Sequence, residues 1–174
     1  LRKEIDALNA VIYPAVNNGV YRAGFASTQD AYEKACAGVF ATLDHLEERP
    51  AARRYLLGDQ LTEADWRLFP TLGRFDVAYY GAFKCNVRRI LDYPNLWDYT
   101  RELRQMPGIA ETVDIELFKR GYDSPTPMRN PLGIVPTNLS ARYTSMPCRA
   151  VRLPSSFSPM RRRRRPSAAI VLRA

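Results

Sequence analysis

The stretch that decides the fold is Leu61-Thr62-Glu63-Ala64-Asp65-Trp66-Arg67-Leu68-Phe69. Thr62 and Asp65 stand at the spacing of a capping box. The threonine oxygen would accept from the backbone N–H three residues on, and the aspartate would reach back to the N–H of Thr62. Leu61 and Trp66 flank the box as a hydrophobic staple, which fixes the angle at which the chain enters a helix. Asp65 also falls in the first turn, where a negative charge suits the helix dipole. The residues that follow are largely apolar, so this helix is expected at the centre of the core.

Working outward, the chain reads as helices joined by short links. Leu1 to Val16 carries Ile5, Leu8, Val11, Ile12 and Val16 at helical spacing. Asn17-Asn18-Gly19 should stop it, with residues that tolerate positive φ. Tyr21 to Ala26 is then a loop. Ser27 to Asp30 reads as a second capping box. The helix after it has Ala31, Ala35, Val39, Leu43 and Leu46 as its apolar stripe and ends before Pro50. Cys36 lies on that stripe, while His45 lies off it and reads as a surface residue.

The opening helix should run from Glu63 to about Tyr80, kinked at Pro70. Ala82 to Ile90 is a connector in which Cys85 follows Lys84, a neighbour that would lower the thiol pKa slightly; a buried structural thiol is the expectation. Pro94 starts another helix at a first-turn position, and Pro107-Gly108 ends it. Two short helical turns follow, Ile109 to Val113 and Ile115 to Arg120, after which Tyr122 leaves helical structure. No stretch alternates with period two long enough for a strand. The fold class is therefore all-α, a bundle of five or six helices over residues 1–137.

The net charge of +8 does not describe that bundle. Residues 138–174 hold nine arginines and no acidic residue, so 26 less 9 leaves 17 basic against 18 acidic residues in 1–137, a net of −1. The Arg/Ser/Pro-rich tail is expected to be disordered. Its run Arg161 to Arg165 is of the kind that binds nucleic acid, but a solvated tail is the plainer reading, and its composition is what a frame-shifted reading of GC-rich DNA would give. Cys36, Cys85 and Cys148 form no C-x-x-C pair, which argues against a disulfide scaffold or a zinc site and fits a reducing, cytoplasmic compartment. No apolar run has the length of a membrane span. The first residues are charged and helix-like and lack a methionine, which reads as a piece of a longer protein.

The capping box with its staple resembles the hallmark of the C-terminal helical domain of glutathione transferases. Further motifs narrow the resemblance: Asn17 to Ala26, Leu61 to Phe69, Phe83-Lys84-Cys85-Asn86, Tyr93-Pro94-Asn95-Leu96-Trp97 and Gly133-Ile134-Val135-Pro136. Together they are similar to the xi class, the glutathionyl-hydroquinone reductases, over about residues 1–137. The resemblance implies a two-domain enzyme whose nucleophilic cysteine and glutathione contacts lie in a thioredoxin-like domain that these residues do not contain. Glutathione would be the co-substrate, with no cofactor bound here, and the chain by itself would be inactive. The helical domain would supply the pocket for an aromatic glutathionyl-hydroquinone, with Tyr21 and Tyr122 donating to the substrate oxygen. The resemblance also implies a homodimer paired through this domain. A non-catalytic dimerisation or docking module is the alternative.

Overall fold

The computed structural model describes residues 1–137. The basic tail, with Cys148 and the five-arginine run, lies outside the described residues. Among the described residues the structure is helical, without a strand. In order come α1 (Arg2–Ile12), a wide π turn (Tyr13–Asn17), α2 (Gly19–Gly24), α3 (Gln29–Ala52) and α4 (Glu63–Arg74). A second π turn (Phe75–Tyr79) leads to α5 (Tyr80–Ala82), and then come a 3₁₀ turn (Ile90–Asp92) and α6 (Pro94–Arg104). Another 3₁₀ turn (Ala110–Thr112) and α7 (Ile115–Tyr122) complete the domain.

The start of α4 is a polar hub inside an apolar core. The capping box closes, and Leu61 and Trp66 pack half-buried against the core. Asp65 is fully buried. Its Oδ2 accepts from the Thr62 N–H at 2.7 Å and from the Thr62 hydroxyl at 2.8 Å. Its Oδ1 accepts from the Leu56 N–H at 3.0 Å and from the Tyr99 hydroxyl, on α6, at 2.9 Å. A buried carboxylate is tolerated only with such a set of donors. One side chain thus ties the α4 start to the preceding turn and to a distant helix. Around it Leu68, Leu72, Phe75, Leu43, Leu46 and Leu96 are fully buried.

Several elements differ from the expectations. The first helix keeps α geometry only to Ile12, because Pro14 lacks the N–H needed for the ladder; the chain widens into the π turn, closed by Asn18 N–H to Tyr13 O at 2.8 Å. Val11 is exposed rather than inward. Asn17-Asn18-Gly19 does not stop the helix with positive φ. Asn17 donates instead to Thr71 Oγ1 at 2.6 Å and to Arg67 O at 3.0 Å, clamping the turn to α4. Gly19 is required by contact: a Cβ there would lie 2.9 Å from Val39 Cγ2. The cap of α3 is Thr28, whose hydroxyl accepts from Ala31 N–H at 3.2 Å, not a Ser27/Asp30 box. That helix also runs through Pro50 to Ala52, since a proline in the last turn costs only one hydrogen bond. Cys36 is buried and His45 exposed, as expected. At α4, Pro70 is followed by a change of ladder, and Tyr80 N–H bonds five residues back to Phe75 O.

Candidate functional site

Two positions singled out in the sequence, 101 residues apart, meet in space. The hydroxyls of Tyr21 and Tyr122 lie 2.7 Å apart. Neither residue is in a loop. Tyr21 sits on α2 and Tyr122 is the last residue of α7. Their meeting point is completed by a third tyrosine that the sequence did not point to. Tyr79, in the π turn after α4, has its hydroxyl 3.1 Å from that of Tyr122 and 3.5 Å from that of Tyr21. Three phenols from three elements form a triangle, with Tyr122 the closest to both others.

The triangle is graded in exposure. Tyr79 is buried at 1% and Tyr21 is exposed at 37%, with Tyr122 between them. Burial raises the Tyr79 pKa far above the ordinary phenol range, reinforced by its bonds to Tyr122 and Tyr21. Burial, followed by the bond to Tyr21, also raises that of Tyr122. Tyr79 is therefore a neutral O–H donor at any ordinary pH. Tyr122 is held neutral too, ahead of smaller opposing pulls from its bond with Tyr79 and from the Arg74 guanidinium.

Aromatic packing fixes these hydroxyls. Phe83, buried, stands edge-on to Tyr21 at 5.1 Å and to Tyr122 at 5.6 Å between centroids, and stacks on Tyr79 at 5.4 Å. Gly24 lets α2 approach closely, because a Cβ there would overlap the Phe83 ring. Phe25 stacks parallel to Tyr21 at 6.5 Å and leaves 62% of its surface open. The cluster thus presents the exposed Phe25 ring beside Tyr21, backed by Tyr122 and the buried Tyr79.

The two described cysteines lie elsewhere in character. Cys36 and Cys85 are both buried and free. Burial pushes the Cys85 thiol up to about 12, the reverse of the lowering expected from Lys84. Neither is a candidate thiolate nucleophile.

Residues 29–102 match the family model described as the glutathione S-transferase C-terminal domain. This chain carries that domain. The glutathionyl-hydroquinone reductase PcpF of Sphingobium chlorophenolicum is 54% identical over 135 residues, 78% of this chain and 43% of the relative. The glutathione-bound structure of YqjG, a glutathione transferase homologue from Escherichia coli, superposes with a TM-score of 0.76 at 51% identity, covering 78% of this chain and 44% of that one. A xi-class transferase from Natrialba magadii gives 0.80 at 43% identity, covering 84% and 45%. The transferase domain is thus akin to glutathionyl-hydroquinone reductases and xi-class transferases, and the chain spans less than half the length of these relatives. The all-α glutathione-transferase fold expected from Leu61 to Phe69 holds. Among the described residues no helix is long and apolar enough to cross a membrane.

Proposed function

We propose that the phenol triangle is the aromatic-substrate site of a glutathionyl-hydroquinone reductase, with glutathione as co-substrate. The observation that carries the proposal is the 2.7 Å contact between Tyr21 and Tyr122, brought together from opposite ends of the domain beside exposed ring surface. The names of the relatives support the same chemistry. In that reaction a cysteine thiolate attacks the glutathionyl sulfur. The ring carbon bearing the sulfur first takes a proton as the ring oxygen becomes a carbonyl. A sulfur–sulfur bond then forms as the carbon–sulfur bond breaks, and the released electron pair restores the aromatic ring and leaves a phenolate oxygen. That oxygen takes a proton to give the hydroquinone, and a second glutathione displaces the cysteine as oxidised glutathione.

The tyrosines act on the developing negative charge. Tyr79 donates to Tyr122, Tyr122 to Tyr21, and Tyr21 outward to the substrate oxygen, each bond polarising the next. Donors held in place before reaction stabilise such charge without reorganisation. The likeness to the family implies a thiolate supplied by a thioredoxin-like domain; among the described residues Cys36 and Cys85 are buried, and the chain alone is expected to be inactive. The intact enzyme is a cytoplasmic homodimer.

The test is glutathione-dependent release of hydroquinone from 2-glutathionyl-hydroquinone. The chain alone gives no turnover. In the longer enzyme, Tyr21→Phe and Tyr122→Phe each lower kcat by about 100- to 1000-fold, the range for losing one charge-stabilising donor. Unchanged turnover in both variants refutes the assignment.

A further inference from the structure

Beside the phenol triangle stands a cation with unused hydrogen-bonding capacity. Arg129 holds its guanidinium 4.6 Å from the centre of the Phe25 ring and 5.2 Å from that of Phe83. These rings flank Tyr21. Among the described residues the guanidinium donates to no protein oxygen, although its Nη1 is shielded from solvent. Among the described residues it acts through space on the Asp123 carboxylate, as Lys119 does, without a hydrogen bond. An arginine has five N–H donors in a fixed fork, and a shielded Nη1 without a partner beside apolar rings is unusual for a purely structural residue.

The loop carrying Arg129 is built rather than loose. Asn130 donates through Nδ2 to Asp123 O at 2.5 Å and to Ile134 O at 3.1 Å, and accepts from Ile134 N–H at 3.2 Å. Its backbone pairs with Thr126 in both directions at 3.1 Å. The Arg129 N–H is held by Thr126 Oγ1 at 3.3 Å. Gly133 turns the chain at φ +64°, with Pro125 so close that a Cβ would meet it at 2.8 Å. These bonds fix the backbone from which Arg129 reaches over the rings.

We propose that Arg129 is an anion-binding element of the aromatic site, which selects ring ligands carrying an ionised oxygen substituent such as a carboxylate. The proposal rests on the reading of the tyrosine cluster as an aromatic pocket. The ligand ring packs on Phe25 and its hydroxyl meets Tyr21. The anionic substituent takes the free fork of Arg129, for which a carboxylate has matching bidentate geometry.

Calorimetric titration of the chain with hydroquinone, 2,5-dihydroxybenzoate and glutathione separates the possibilities. The carboxylate-bearing ring is expected to bind about tenfold more tightly than hydroquinone, a difference of about 1.4 kcal/mol. Arg129→Gln removes that preference and leaves hydroquinone affinity unchanged. Arg129→Lys restores part of it, because charge remains but the fork does not. Equal binding of the two rings by the native chain, or a preference that survives Arg129→Gln, overturns the proposal while the pocket stands. If glutathione alone loses affinity in Arg129→Gln, the anion is a peptide carboxylate and the ring assignment is wrong. If neither ring binds, the pocket reading falls and this inference with it.

Discussion

Replacing Asp65 by alanine removes one carboxylate and strands four donors. They are the N–H groups of Leu56 and Thr62 and the hydroxyls of Thr62 and Tyr99. Hydrogen bonds to a charged group contribute about 1.5–3 kcal/mol each, so a simple sum is roughly 6–12 kcal/mol. The sum overstates the loss, because the four share one acceptor and the alanine no longer buries a charge. Breaking a buried ionic network by removing its centre costs about 3–5 kcal/mol. A domain of this size has roughly 5–15 kcal/mol in all, and each kcal/mol moves Tm by about 2–4 °C. Asp65→Ala is therefore expected to lower Tm by roughly 10–15 °C, read by far-ultraviolet circular dichroism, with a matching fall in urea midpoint. Tyr99→Phe removes one of these donors and costs about 1.5–3 kcal/mol. In the double variant the two effects fall short of adding, by at least about 0.5 kcal/mol. An Asp65→Ala domain within 1 °C of native (about 0.5 kcal/mol or less) would refute the idea that this carboxylate holds the helices together.

Three further outcomes follow from the same structure. Glu47 on α3 accepts from the Asn95 and Leu96 N–H groups at 2.8 and 2.7 Å, capping α6 from a neighbouring helix; Glu47→Ala is expected to lose about 1–2 kcal/mol in urea unfolding, and Glu47→Gln clearly less. Gly24→Ala drives a methyl into the Phe83 ring and costs about 1–3 kcal/mol as overpacking, with a changed near-ultraviolet dichroism as the cluster shifts. Burial raises the pKa of Tyr55 to about 12 and lifts those of Tyr79 and Tyr99 as well, from an ordinary value of 10.0. Folding then favours the protonated phenols, so their contribution is complete below pH 10 and is lost as pH rises above it. The loss is at most about 1.4 kcal/mol per pH unit for each buried phenol. The phenolate absorbance of Tyr55, Tyr79 and Tyr99 should therefore appear late and together with unfolding, and their titration ahead of unfolding would contradict it.

What was legible in the sequence was local. Thr62 and Asp65 are three residues apart and their bond is a property of that spacing. The two further partners of Asp65, Leu56 and Tyr99, lie 9 and 34 residues away and left no trace in the pattern. Pro50 and Pro70 marked weak points correctly as missing N–H groups, but only packing decides whether a helix stops there. Gly19 shows the same limit: its use is contact with Val39 rather than backbone freedom, so Asn17-Asn18-Gly19 looked like a stop when it is a close crossing. Tyr21 and Tyr122 were found by likeness to a family, not by any spacing between them. Tyr79 was hidden because, within an apolar helix, it reads as one more core aromatic; its hydroxyl partners are 58 and 43 residues distant.

The triangle of phenols has a property that no single tyrosine has. Each corner carries one proton and can both give and take a hydrogen bond. The protons can run along the Tyr79–Tyr122–Tyr21 row in either direction, and reversal needs only rotation of O–H bonds, with the oxygens staying at 3.1 and 2.7 Å. In one direction Tyr21 receives from Tyr122 and offers its own proton to an incoming phenolate; in the other it donates to Tyr122 and offers a lone pair to an incoming phenol. The same rigid surface is therefore amphoteric. It can hold an aromatic oxygen before and after that oxygen changes its protonation state, without moving a heavy atom.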